Sequence, residues 1–330
     1  MMRKTAGRLS GLPSGKLLGQ LSGLLLANKK AAFGAAIIII FVVIGVFAPF
    51  IAPYAPTAML FRPMEPPSME HLLGTTASGQ DIFAQVIWGT RLSLAVGIIT
   101  GAITTVLSLV VGLSAGYFGG WVDDVLSTIT NVFLVIPGLP LIIIIAAYIT
   151  VRGVAPIILV ISITGWAWGA RVFRAQMLTL RNRDFVQAAV VVGEHTLRII
   201  FAEIMPNMMS LIAANFFGAA LYAVLSEAGL EFLGLGNVNT VTWGTVLYWA
   251  QNNQALLFGQ WQWFATPGLF IALLGTAFAM MNFAIDEITN PRLRKRGQAK
   301  RGRLGRGRLG RGQGRAAGRR RDASGQALDG

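Results

Sequence analysis

The sequence predicts an all-α, polytopic membrane protein with six transmembrane helices, and three observations carry this prediction. Hydrophobic residues make up 54% of the 330 positions. Charged residues make up only 13%, whereas soluble domains carry about 25%. Long stretches also contain no Asp, Glu, Lys or Arg, and about 20 apolar residues are enough to cross the hydrocarbon core as a helix. The predicted spans lie near residues 31–52, 92–117, 124–150, 154–172, 208–233 and 264–286.

These spans follow uncharged runs along the chain. The runs cover residues 31–61, 92–122, 125–151, 153–170, 204–226 and 232–285. The first apolar stretch is longer than the 7–15 residues of a cleaved signal peptide, so we expect an uncleaved anchor. Pro137 and Pro140 should break the regular hydrogen bonding of the third span. The last run could hold two helices, but residues 236–263 are rich in Asn, Gln, Thr and Trp. We therefore predict a loop there, with its tryptophans forming an interfacial belt. The alternative is that they form part of a surface on which another protein docks.

The distribution of Lys and Arg predicts that both termini are cytoplasmic. Six basic residues and no acid lie in residues 1–30, five basic residues in 171–206, and fourteen after Pro291. The positive-inside rule places these three regions on the cytoplasmic side. The net charge of +14 therefore reflects topology and tail, so we expect anionic membrane lipid and no nucleic acid as a partner.

The chain divides into three predicted regions. Residues 1–30 are a basic cytoplasmic lead, and residues 291–330 are an Arg/Gly-rich cytoplasmic tail that cannot bury enough apolar surface to fold. Residues 31–290 form the membrane domain, which contains an outer segment (52–91) and a charged cytoplasmic loop (171–207).

The cytoplasmic loop is predicted to form two helical pieces. Helix-forming residues run from 174 to 192, and Gly193 can adopt a left-handed conformation that ends this first helix. Residues 197–205 form the second piece, which Pro206 should stop. The expected result is a rigid helix-turn-helix knob. The alternative is an ordinary amphipathic helix lying on the membrane.

The spacing within this loop resembles the "EAA" loop of bacterial ABC-importer permeases. Gln187-Ala188-Ala189 is followed after three residues by Gly193, and Pro206 lies thirteen residues further on. The stretches 71–93, 226–236 and 286–294 also resemble oligopeptide/dipeptide permeases, so the resemblance extends over roughly residues 29–294.

The resemblance implies that the loop couples the membrane domain to an ATPase. The residues that it assigns to this site are Asp184, Gln187, Ala188, Ala189, Gly193, Glu203, Met205 and Pro206. Three of them depart from the family pattern. Gln187 stands where the motif has Glu, Glu203 where peptide permeases often carry His, and Met205 where Leu is usual. The Gln187 side chain can form hydrogen bonds as Glu does, but it carries no charge. The resemblance therefore does not imply an ion pair between this position and the ATPase.

The implied partners are a second homologous permease, two ATP-binding subunits and an extracytoplasmic solute-binding protein. ATP and magnesium would bind the partner ATPases, so no cofactor is expected in this chain. The implied cargo is di- or oligopeptide, carried by alternating access. Nickel, oligosaccharide or opine cargo, and an ATP-independent transporter or channel, are the alternatives.

Other patterns favour neither an ATP site nor an enzyme. Residues 11–16 resemble a phosphate loop, but only three residues separate the two glycines, whereas the motif needs four. The residue after the lysine is Leu17, whereas the motif needs Ser or Thr at that position. The two histidines, His71 and His195, are predicted on opposite sides of the membrane. Glu227, with Pro137 and Pro140, could line a translocation path. The alternative is that Glu227 and Glu231 are hydrated at the interface or cap the turn at residues 234–236.

Overall fold

The protein is described by a computed structural model over residues 28–289, with side chains through Ile285. The predicted tail and nearly all of the predicted lead lie outside the described residues. The helices are α1 Lys29–Ile51, α2 Ile82–Phe118, α3 Gly120–Val135, α4 Gly138–Tyr148, α5 Val154–Leu180, α6 Asp184–Val191, α7 Thr196–Arg198, α8 Met209–Phe232, α9 Trp243–Asn252 and α10 Trp261–Thr289. A π-helix, Ile199–Ile204, and a 3-10 helix, Met205–Met208, join α7 to α8.

The described helices confirm the all-α polytopic prediction. Five are long and apolar enough to cross a membrane: Lys29–Ile51, Ile82–Phe118, Val154–Leu180, Thr196–Phe232 and Trp261–Ile285. Helices α3 and α4 meet the same test only when they are taken together, and the chain bends by 90° between them. If the two helices cross the membrane as one broken span, the described residues contain six spans.

Helix α2 begins ten residues before the predicted span. Asp81 is the reason, because its Oδ2 accepts a hydrogen bond from the Ala84 N–H at 2.8 Å and so caps the helix. The last ten residues of the predicted outer segment (52–91) therefore belong to the first turns of α2. With 37 residues, α2 is about 55 Å long, so it projects beyond a hydrocarbon core of about 30 Å.

The third predicted span is broken at one of its two prolines. Pro137 lies between α3 and α4 in an extended conformation, with φ −60° and ψ 120°. Pro140 lies in the first turn of α4, where a missing N–H removes no helical hydrogen bond. The prediction of a break was right for Pro137 and wrong for Pro140.

Helix α2 is the centre of the membrane domain, and its glycines allow neighbouring helices to approach closely. Gly97 and Gly101 face α8, whereas Gly112 and Gly116 face α5. A Cβ atom built on Gly112 would lie only 2.5 Å from the Ala170 carbonyl oxygen. Both pairs of glycines, each with a spacing of four residues, therefore serve close helix packing.

The region predicted as a loop at 236–263 contains the short helix α9. Its N-terminus is a capping box, in which Thr242 and Thr245 each accept a hydrogen bond from the other's backbone N–H. Trp243 and Trp263 are 0% and 1% exposed, so their assignment to an interfacial belt was wrong. The Trp243 indole N–H donates to the Val86 carbonyl at 3.0 Å, which ties α9 to α2.

The outer segment is ordered by backbone hydrogen bonds between its two halves. The N–H groups of Leu60 and Phe61 both donate to the Gly79 carbonyl at 3.1 Å, and the Met64 N–H donates to the Thr76 carbonyl at 3.1 Å. The Gln260 side chain then donates to the Met64 carbonyl at 2.8 Å. The outer segment is thereby joined to the connection between α9 and α10.

Candidate functional site

The turn after α6 has the geometry of a Schellman motif. Gly193 has φ of 82°, in the left-handed region where glycine carries no penalty. Its N–H donates to the Val190 carbonyl at 3.0 Å, and the Glu194 N–H donates to the Ala189 carbonyl at 3.1 Å. The predicted conformation of Gly193 is confirmed, and α6 ends where the spacing indicated.

The predicted helix over residues 174–192 is interrupted. Helix α5 ends at Leu180, and α6 starts at Asp184 after an extended Arg183. The Arg181 side chain donates to the Gly116 carbonyl of α2 at 2.9 Å, a contact between residues distant in sequence that holds the end of α5 in place. Gln187 spans the break, because its Nε2 donates to the Arg181 carbonyl at 3.0 Å.

The second piece of the loop does not end at Pro206. The chain passes from the π-helix through the 3-10 helix directly into α8. Wider π and tighter 3-10 turns accommodate a residue that lacks an N–H, and the Asn207 side chain donates to the Glu203 carbonyl at 2.7 Å. The prediction that Pro206 stops this helix was therefore wrong.

One face of the loop is anchored in the membrane domain. Val186, Ile199 and Ile204 are 1%, 2% and 0% exposed, and they belong to one apolar cluster with Phe173 of α5 and Leu113 of α2. A displacement of α6 must therefore move the ends of α5 and α2 as well, because close-packed interiors transmit strain.

The opposite face is open to solvent and partly apolar. Val191 and Val192 are 85% and 80% exposed, beside the exposed Asp184, Gln187 and Ala188. We call these five residues the knob surface. Contiguous exposed apolar residues on a folded segment are typical of a contact with another protein.

The structure separates the other predicted site residues from this surface. Ala189 is half-buried beneath it, and Gly193 forms the exposed turn at its end. Glu203 and Met205 are half-buried on the second piece, where Pro206 is exposed. Sequence reasoning did not assign Val191 to the site, although three successive valines before the glycine are the signal for it.

An ion pair strengthens the same end of the molecule. Arg174 of α5 donates from Nε and Nη2 to the two carboxylate oxygens of Asp123, at 2.5 and 2.6 Å. The pair links the start of α3 to α5. Because the Arg174 side chain is 36% exposed, its contribution to stability is modest, at most about 1 kcal/mol.

The two glutamates of α8 are enclosed by protein. Glu227 and Glu231 are each 1% exposed, so the alternative in which their carboxyl groups are hydrated at the interface was wrong. The Ser93 hydroxyl of α2 donates to Glu227 Oε1 at 3.4 Å. The same hydroxyl accepts a hydrogen bond from the backbone N–H of Trp243 at 3.2 Å. Thr242 donates to Glu231 Oε2. The glutamates thus connect α8 to α2 and α9, while a pathway role for Glu227, Pro137 and Pro140 stays a prediction.

Replacing Glu231 with alanine should destabilise the protein. The variant leaves the buried Thr242 hydroxyl without its acceptor and opens space in the packed core, at a cost of about 1–3 kcal/mol. Thermal unfolding in detergent should show a lower midpoint for Glu231→Ala and no change for Glu70→Ala, whose side chain is exposed. Equal midpoints for the two variants would show that the buried contact contributes nothing.

Comparison with known protein families decides the identity of this membrane domain. A family model described as "Binding-protein-dependent transport system inner membrane component" matches residues 108–295, more than half of the chain. The chain belongs to this family. A second model, described as the N-terminal TM domain of oligopeptide transport permease C, matches residues 24–67. As a family member, the protein is a multi-pass inner-membrane permease component rather than an enzyme.

Individual relatives extend the match over most of the chain. The oligopeptide transport system permease protein OppC of Bacillus subtilis (strain 168) is 31% identical over 271 residues, covering 82% of this chain and 88% of that protein. The dipeptide transport system permease protein DppC of Alkalihalophilus pseudofirmus is 34% identical over 272 residues, covering 81% and 87%. DppC of Haemophilus influenzae is 32% identical over 279 residues, covering 81% and 92%.

A solved structure has a similar fold. An inward-facing structure of the MetNI methionine ABC transporter aligns with a TM-score of 0.50 and 18% identity, covering 63% of this chain and 96% of that chain. At this level of identity, the likeness supports the architecture of the permease and nothing about its cargo.

Proposed function

We propose that this permease is one subunit of an ATP-driven importer that carries di- or oligopeptides across the cytoplasmic membrane by alternating access. The observation that carries the proposal is the knob surface, which is exposed on one side and packed against α2 and α5 on the other. The relatives described above are oligopeptide and dipeptide permeases, which favours peptide over nickel, oligosaccharide or opine as cargo.

The proposed assembly has four kinds of subunit. The family description names a dependence on a binding protein, which supports an extracytoplasmic solute-binding partner. We propose that a second, homologous permease completes the path. Two ATP-binding subunits on the cytoplasmic side would bind ATP and magnesium, and anionic lipid would contact the basic tail.

The proposed coupling begins when the ATPase pushes on the knob surface. Movement of α6 would pass through the buried Val186 to the apolar cluster at the ends of α2 and α5. The second piece of the loop continues without interruption into α8, so the same movement would reach that span as well. Closure of the ATPase subunits would in this way open the membrane domain outward to receive solute.

The contact with the ATPase is proposed to be apolar rather than ionic. Gln187 carries no charge, and its side-chain amide is already bonded to the Arg181 carbonyl within this chain. Val191 and Val192 beside it are 85% and 80% exposed. Gln187 would therefore orient α6 for docking, while the valines make the contact.

Cysteine crosslinking tests this assignment. Cysteines at Ala188 and Val192 should each crosslink to a co-expressed ATPase subunit in membranes. Leu257→Cys is the matched control, because Leu257 and Val192 are both 80% exposed and Leu257 lies in the connection between α9 and α10. If the protein is stable in the membrane but neither Ala188→Cys nor Val192→Cys forms a crosslink, the proposed contact between the knob surface and the ATPase is wrong.

A further inference from the structure

A basic cavity lies between α2, α3 and α5. Its volume is about 200 Å³, which is smaller than the roughly 300–1,000 Å³ of pockets that enclose a drug-sized ligand. Small residues of α2 form one wall, and the polar lining comes from α3 and α5: Ser127, Thr130, Asn131, Arg171 and Arg174. No Asp or Glu is among the lining residues, and none of them belongs to the knob surface. The cavity therefore suits a small group that carries negative charge.

The polar groups of this lining have hydrogen-bond donors to spare. Arg174 uses Nε and Nη2 on Asp123, which leaves its Nη1 without a partner among the described residues. Arg171 Nη2 donates to Asn131 Oδ1 at 2.8 Å, and no described carboxylate lies within 4 Å of the Arg171 guanidinium. The Asn131 side-chain NH2 group also has no acceptor in the described part of the chain. Because a guanidinium has five N–H donors and no acceptor, these groups favour an occupant with several acceptor oxygens.

The nearest acidic residues leave the charge of Arg171 uncompensated. Asp123 is bonded by both Nε and Nη2 of Arg174 and by the Ser127 hydroxyl at 2.9 Å, so its charge is already paired. Asp124 is exposed to solvent and forms no ion pair with a described residue. Arg171 is therefore the positive charge that remains for an occupant of the cavity.

The cavity lies at the depth of the lipid headgroups. The charge distribution places the end of α5 on the cytoplasmic side. Helix α5 begins at Val154, and about 20 helical residues cross the hydrocarbon core, so the inner boundary of the core falls near Arg174. Trp168 precedes Arg171 by three residues on the same face of α5 and is 66% exposed. Tryptophan is enriched at membrane interfaces, which agrees with this depth.

We propose that this cavity binds the phosphate group of an anionic phospholipid from the cytoplasmic leaflet, at a site separate from the basic tail. The phosphate oxygens accept hydrogen bonds from Arg171, Arg174 and Asn131, and arginine bonded to phosphate is among the stronger charge-assisted pairs. The acyl chains lie along the exposed Trp168 of α5 and the exposed Val132 of α3, which flank these donors. Basic pockets between membrane helices on the cytoplasmic side are typical sites for anionic headgroups.

The inference is tested by titrating the full-length chain in detergent with phosphatidylglycerol and counting bound lipid by native mass spectrometry. Arg171→Gln should weaken binding about tenfold, because it removes a charge-assisted contact with the phosphate. Arg183→Gln is the matched control, since Arg183 is an exposed arginine of the same cytoplasmic loop and does not line the cavity. It should bind the lipid as the wild type does. Every variant carries the same tail, so lipid bound there contributes equally to each titration.

Asn131→Asp is a second variant that keeps the shape of the side chain. Its carboxylate would replace the amide oxygen that lies 2.8 Å from Arg171 Nη2, so it would pair with the free charge and repel a phosphate. Lipid binding should fall, while the midpoint of thermal unfolding stays at or above that of the wild type. This variant therefore distinguishes loss of the site from loss of the fold.

Four outcomes would overturn the inference. The first is wild-type affinity for phosphatidylglycerol in both Arg171→Gln and Asn131→Asp. The second is equal affinity of the wild type for phosphatidylglycerol and phosphatidylcholine, since the choline cation of the latter would face the arginines. Displacement of the lipid by millimolar inorganic phosphate would assign the cavity to a soluble anion, and displacement by millimolar dialanine would assign it to cargo. These measurements involve neither ATP hydrolysis nor uptake, so their outcome is independent of the proposed function.

Discussion

Replacing Gly193 with valine is expected to abolish solute uptake while leaving membrane insertion intact. The φ of 82° at this position is poorly accessible to a β-branched residue, and left-handed geometry costs an L-residue roughly 1–2 kcal/mol. The Schellman turn would therefore open, and α6 would lose its fixed end. The knob surface would then no longer face the ATPase in one defined orientation, and ATP hydrolysis would not be coupled to movement of the spans.

The measurement is uptake and ATP hydrolysis in vesicles that contain the full transporter. Gly259→Val is the control, since Gly259 has φ of 75° and, like Gly193, has no atom within 4 Å of a built Cβ. Both variants carry the same backbone strain, but Gly259 lies in the connection between α9 and α10. Retained uptake in Gly193→Val, or equal loss in both variants, would contradict a specific role for the turn after α6.

The second large effect is expected from Gly112→Ala, which should destabilise the membrane domain by about 3 kcal/mol. The added Cβ would lie 2.5 Å from the Ala170 carbonyl oxygen and 2.8 Å from the Phe173 Cβ. Neither atom is the flexible end of a side chain, so α2 and α5 must separate. The Phe173 side chain is wholly buried in the apolar cluster that anchors the knob, so this separation should also reduce uptake.

Thermal unfolding in detergent and yield from membranes measure this effect. Gly268→Ala in α10 is the matched control, because a Cβ there meets no atom within 4 Å. Alanine is the better helix former, so the control should unfold at the wild-type temperature or slightly above it. A wild-type midpoint for Gly112→Ala would show that α2 and α5 tolerate a wider separation.

The parts of this fold that were predictable depend on local properties of the sequence. Uncharged runs long enough to cross a membrane located the helices, because insertion depends on the composition of each segment. The turn at Gly193 was predictable for the same reason, since left-handed geometry is a property of the residue itself.

The parts that were missed depend on contacts between residues distant in sequence. Helix α9 was read as a loop because its composition is polar, but it is stabilised by Trp243 bonding to Val86, 157 residues away. The break before α6 accompanies the bond from Arg181 to Gly116, 65 residues away. The buried Glu227 likewise accepts a hydrogen bond from Ser93, 134 residues away. No window of local sequence contains these pairs.

The π-helix Ile199–Ile204 sets the rotational phase between the knob and α8. Each residue of an α-helix advances the chain by about 100° around its axis, and a π-helical turn is an α-helical turn with one additional residue. Deleting one residue from this stretch would therefore rotate everything before it by about a quarter turn relative to the span. An insertion or deletion here therefore changes the direction in which the knob points, whereas a substitution leaves the number of residues between the knob and α8 unchanged.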